Sequence, residues 1–150
     1  MSQPAIAGIR ASIHEAFFGP EGEWGSFIEH GSGVLDTLAR VSAAQAQAEP
    51  APGRTRLVTM TSHLAESLEY AIKAIHGQPV DWNHHEDPVT CTPAEWTALQ
   101  ARLRDAALAM NDRLADEKGV DVTTIVGTLA HTAYHVGGMR QIALMHLAQG

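Results

Sequence analysis

The chain reads as an all-α domain. Aromatics make up only 5% of its residues, alanine and leucine are abundant, and the β-branched residues never fall into the alternating runs that mark strands. Apolar residues recur instead at spacings of three and four over several long segments, the period of helices with one buried face. Four substantial helices striped in this way pack most economically as an up-down four-helix bundle, here with an extra N-terminal helical segment. The 150 residues fit a single domain spanning residues 1–150, long enough to bury a sizeable core without disulfides.

The N-terminal segment, about Ala5 to Phe18, carries Ile6, Ile9, Ile13 and Phe17 on one face and stops at Gly19-Pro20. Residues 19–33 hold five glycines with Trp24 and Phe27, the pattern of a structured loop that lays aromatics over a core edge. A helix follows from near Gly33 with Val34, Leu35, Leu38 and Val41 as its apolar face. Ser42-Ala43-Ala44-Gln45 matches a capping box that restarts a short turn, and Pro50-Ala51-Pro52-Gly53 ends it. From about Arg56 to His76, the residues Leu57, Met60, Leu64, Leu68, Ile72 and Ile75 define a further amphipathic helix, closed by Gly77-Gln78-Pro79.

A loop of roughly fifteen residues comes next. It contains Trp82, His84, His85, Glu86 and Asp87, and adjacent loop histidines of this kind are expected to be solvated. Thr92-Pro93-Ala94-Glu95 then combines an N-cap, a proline at the first helical position and a reciprocal glutamate, the clearest helix start in the chain. Trp96, Leu99, Leu103, Ala106, Met110 and Leu114 give its core face, and Lys118-Gly119 its basic last turn and stop. The last helix runs from about Asp121 to His146.

Charge and composition narrow the function. Ten Lys and Arg against seventeen Asp and Glu leave a formal charge of −7 with no clustered basic patch, which argues against a nucleic-acid partner. Cys91 is the single cysteine, so no internal disulfide can form and the chain suits a reducing cytoplasm. The N-terminus lacks a basic region followed by a long apolar run, and no stretch of eighteen apolar residues occurs, so a soluble cytoplasmic protein without membrane contact is expected. A homodimer is compatible with the glycine-rich loop and the first helix.

Chemistry is suggested by histidines. His131 and His135 stand one helical turn apart and project from one helix face. The same face continues through Gly138, Ile142 and Met145, so both rings are expected to point inward, where an imidazole needs a hydrogen-bond or metal partner. His63 borders the apolar stripe of its own helix and could meet the pair between facing helices, forming a three-histidine site with open coordination positions. Spacing alone leaves two readings, a divalent metal site or partly exposed helix histidines. Glu66, three residues after His63, is placed to serve as a general base or as a partner behind a ligand, although a solvated glutamate is the favoured reading. Tyr134 reads as a core aromatic.

The segment His131-Thr132-Ala133-Tyr134-His135-Val136-Gly137-Gly138, together with the Pro52-Gly53 turn leading to Ser62-His63-Leu64-Ala65 and with Thr92-Pro93-Ala94-Glu95-Trp96, resembles the DinB/YfiT-like superfamily of metal-dependent four-helix bundles. The resemblance spans about Phe17 to Ile142. It implies that His63, His131 and His135 occupy the positions of the family's metal triad. One departure stands out: Gly138 replaces the usual glutamine, which removes a polar group near the site and weakens the helix locally.

Three neutral imidazoles leave a bound cation's charge largely uncompensated. Zinc and nickel are the expected occupants, and iron, cobalt and manganese are also compatible, because imidazole discriminates weakly among them. Such a site acidifies a bound water to a pKa of about 7, which suits hydrolysis, and equally stabilises the thiolate of a low-molecular-weight thiol, which suits transfer or isomerisation of a small-molecule substrate. Thiol-dependent transferases and isomerases among the family's members favour the second chemistry. The alternative is a non-catalytic, stress-associated helical bundle whose metal fixes helix packing.

Overall fold

The computed structural model describes residues 3–26, 28–116, 119 and 121–148. Among them the chain forms six helices and no strand: α1 (Gln3–Phe18), α2 (Val34–Ala39), α3 (Ala43–Gln47), α4 (Leu57–Ile75), α5 (Pro93–Ala115) and α6 (Val122–Leu147). The four long helices touch in a ring, with α1 against α5 and α6, and α4 against the same two. Leu38, Leu64, Leu68, Leu103, Met110 and Met139 fill the space between them. No helix is long and apolar enough to cross a membrane.

The capping signals form as their sequences predict. Ser42 and Gln45 bond reciprocally at the start of α3, as do Thr92 and Glu95 at the start of α5, and Asp121 caps α6 by accepting from the Thr124 amide. Each side chain satisfies an amide that the first helical turn would otherwise leave unpaired. Gly19 ends α1 in the left-handed region, at φ 81°. Gly33 faces it so closely that a Cβ there would lie 2.7 Å from the Gly19 nitrogen, which excludes any larger residue.

Several elements differ from expectation. The N-terminal helix is no appendage: α1 buries Ile6, Ile13, Ala16 and Phe17 and supplies one quarter of the ring. The helix expected from Gly33 stops at Ala39, short of Val41, while the Ser42 capping box restarts the chain as the short α3, as its sequence indicates. The glycine-rich loop does not lay Trp24 on the core, since that residue is 89% exposed. Phe27 lies outside the described residues. The loop is held from below by the buried Glu15 carboxylate, which accepts from the amides of Ser26 and Ile28 at 2.8 and 3.0 Å. Lys118, expected in the last turn of α5, also lies outside the described residues, and α5 closes at Ala115.

The up-down alternation is not followed between α4 and α5. Met60 lies against Gly138, and His63 faces His131 and His135, so α4 and α6 run antiparallel. Gln45 donates to the His146 carbonyl, which sets α3 at the C-terminal end of α6 and therefore at the start of α4. Trp96 donates to the Val41 carbonyl and Cys91 lies against that of Ala43, so α5 starts at this same end and runs parallel to α4. Parallel neighbours need a connection as long as the helix. Residues 76–92 supply it, returning along the roughly 28 Å of α4 from His76 to Pro88, whose carbonyl accepts from Thr59 at 2.6 Å.

Candidate metal centre

The site is built where α4 crosses α6. The buried line of α6 runs through Ile125, Thr132, Val136, Met139 and Ala143. His131 and His135 each precede a member of this line, so they are turned about 100° from it, towards α4. Ile142 packs against the core as expected, but Met145 is 45% exposed, so the histidine face leaves the core before the helix ends. On α4, Ser62 and Leu64 are buried, and His63 emerges between them into the same gap.

The three rings converge on one another. The Nε2 of His131 lies 3.1 Å from that of His63 and 3.0 Å from that of His135. One atom from each histidine falls within 4.8 Å of the others. The Nε2 of a neutral His131 carries either a proton or a lone pair, so it can serve only one of these two contacts as a hydrogen bond. A cation serves all three rings. Zinc–nitrogen bonds of about 2.0–2.1 Å at tetrahedral angles place the nitrogens about 3.3 Å apart, so a few tenths of an ångström of expansion makes the arrangement fit. The three histidines could therefore hold a metal ion.

Electrostatics keep these rings in the ligating state. Burial pushes His135 down to about 4, reinforced by His131 and His63. Burial also lowers His131, with His63 and His85 contributing. His63 is lowered by burial and by His85, against the opposing carboxylates of Asp87 and Glu66. The Nδ1 of His135 is buried without a hydrogen-bond partner among the described residues, a departure from the usual ligand histidine, whose second nitrogen is bonded.

The return loop contributes the residues that spacing rules missed. His84 is exposed, but His85 is tucked over His63 with ring centroids 4.4 Å apart. Glu66 is not solvated: at 3% exposure it accepts from the Glu86 amide with both oxygens and from His85 Nδ1 at 3.3 Å. Arg102 of α5 approaches Glu66 at 3.8 Å while forking onto Glu69 at 2.9 and 2.8 Å. Tyr70 donates to the His84 carbonyl. The signal was present in α4, where Thr59, His63, Glu66 and Tyr70 form a second stripe at helical spacing, too polar for the core and requiring a partner of its own. Tyr134, expected in the core, is 77% exposed with its ring edge against His135.

Two cavities flank the triad. The larger, about 440 Å³, is bounded by His63, His85 and Trp82 on one side and by Gly127, Thr128 and His131 on the other. The smaller, about 220 Å³, lies between Thr59, Asp87, His63 and His135. Gly138 contributes no side chain of its own beside the triad, and a Cβ at that position would meet the Met60 methyl at 3.3 Å. Comparison with protein-family models, curated proteins and solved structures returned no match. The resemblance to the DinB/YfiT-like superfamily thus rests on the motifs themselves.

Proposed function

We propose that this protein is a metal-dependent enzyme of the DinB/YfiT type, its four long helices forming the family's bundle, with His63, His131 and His135 holding a divalent ion, zinc or nickel foremost. The convergence of three rings whose two Nε2–Nε2 contacts, at 3.1 and 3.0 Å, compete for the one hydrogen-bonding position of His131 Nε2 carries this reading. The ion would act as a Lewis acid that makes a water or a low-molecular-weight thiol nucleophilic near neutral pH. Around it, the chain's own residues hold the lone pairs in place, exclude bulk water from the α4–α6 gap and leave a cavity open beside His63 and His131 for a small molecule. Thiol-dependent transfer or isomerisation is the chemistry favoured by the family resemblance, with hydrolysis as the other route.

Glu66 acts here as a positioning residue rather than as the base. Its oxygens are occupied by the return loop, so it organises the wall of the cavity. That same commitment, with Gly138 in the glutamine position, favours a second reading in which the ion serves only to clamp α4 to α6. Elemental analysis of protein purified without an affinity tag tests the shared premise. Near-stoichiometric metal should be present in the wild type and in His84→Ala and be lost from His135→Ala. Absence of metal from the wild type even after reconstitution would end both readings. Turnover of a thiol adduct or an ester by the loaded protein alone would separate the enzyme from the clamp.

A further inference from the structure

The larger cavity carries its own information about what it binds. None of its lining residues is Lys, Arg, Asp or Glu. Of its hydroxyls, that of Thr132 is buried with no hydrogen-bond partner among the described residues, whereas three others are directed elsewhere: Ser67 donates to the His63 carbonyl, Thr128 to the Thr124 carbonyl and Thr124 to the Asp121 carboxylate. With their protons spent on their own helices, these three side chains offer a ligand only lone pairs and methyl groups. Leu64, Leu68 and half-exposed Trp82 complete an apolar wall. A ligand with a carboxylate or phosphate on its body would find no Lys or Arg side chain there, and its desolvation would go largely uncompensated.

His85 is the polar group of this wall whose orientation is set. A carboxylate only accepts, so the 3.3 Å contact with Glu66 places a proton of His85 on Nδ1, and in the neutral ring Nε2 then carries a lone pair. That nitrogen has no hydrogen-bond partner among the described residues, and its ring lines the cavity beside His63. A neutral histidine fixed through one nitrogen by a buried carboxylate, with the other left unpaired beside a cavity, is an acceptor available to a donor on a ligand.

We propose that this cavity is the substrate pocket, that it takes an uncharged, largely apolar molecule bearing one protic group (a thiol, hydroxyl or amide N–H), and that His85, aimed by Glu66, receives that group. The proposal rests on the metal reading above and adds the ligand class and the residue that binds it. The volume of about 440 Å³ lies within the range of about 300–1,000 Å³ usual for small-molecule sites.

The test uses the full-length zinc-loaded protein with benzyl mercaptan and its para-carboxylated analogue as probes, binding being followed by calorimetry and zinc per chain by elemental analysis on the same samples. Benzyl mercaptan should bind at least about tenfold more tightly than the carboxylated thiol, and His85→Ala should weaken it by up to about tenfold, the usual scale of one hydrogen bond. Gly127→Leu, where an added Cβ meets nothing within 4 Å, should fill the cavity and abolish binding without touching the triad. Both variants should keep their zinc. Equal binding of the two thiols, or unchanged binding in both variants with zinc retained, would overturn the proposal and leave the metal reading intact. Loss of zinc from His85→Ala would overturn the role of His85 by making it part of the metal's hold. A wild type that takes up no zinc would overturn proposal and metal reading together.

Discussion

His135 should make the metal-free protein sensitive to mild acid. In the folded chain its ring titrates near 4, against 6.5 for an ordinary histidine. The unfolded chain therefore binds a proton at pH values where the folded chain does not. Between these two values each fall in pH favours unfolding, whereas above 6.5 both states are neutral and no penalty remains. At pH 5 the difference amounts to about 2 kcal/mol by linkage, and the ring's partial contact with solvent reduces it to roughly 1–2 kcal/mol. His63 and His131 are lowered too and act in the same direction. For a domain of this size the His135 share corresponds to a drop of roughly 3–6 °C in Tm.

Thermal melts of chelator-treated protein at pH 7.5 and pH 5 measure this directly. His135→Gln keeps a polar side chain but removes the titrating ring, so its loss of stability between the two pH values should be smaller than that of the wild type by the amount above. Identical pH dependence in the two proteins would refute the argument that the triad is kept neutral by burial and mutual repulsion.

Zinc at a hundred times its dissociation constant should stabilise the wild type by about 2.7 kcal/mol, a rise that a chelator reverses in melting curves and that His135→Ala does not show. Thr92→Ala breaks the reciprocal cap that opens α5 and should cost about 1 kcal/mol in urea titrations; an unchanged midpoint would mean that the cap contributes nothing. Gly138→Ala should raise stability by up to about 1 kcal/mol, because alanine favours the helix and only the flexible end of Met60 must move. A fall in Tm for that variant would show that Met60 cannot yield.

How much of this protein was legible beforehand follows from the range of the forces involved. The helical class and the starts of α3 and α5 depend on residues within four positions of one another, so Ser42-Gln45 and Thr92-Glu95 announced them. The shared face of His131 and His135 is likewise a property of one helix. That these two meet His63 depends on how α4 and α6 pack, and the motif resemblance pointed to it where periodicity could not. The parallel course of α4 and α5 and the burial of Glu66 under a loop that looked solvated were decided by tertiary structure, as was the placing of His85 over the triad. Local sequence dictates which face of a helix is polar, but only the arrangement of distant segments determines what covers that face. In α4 the cover is the return loop, because helices that run parallel must be joined by a chain that retraces their length.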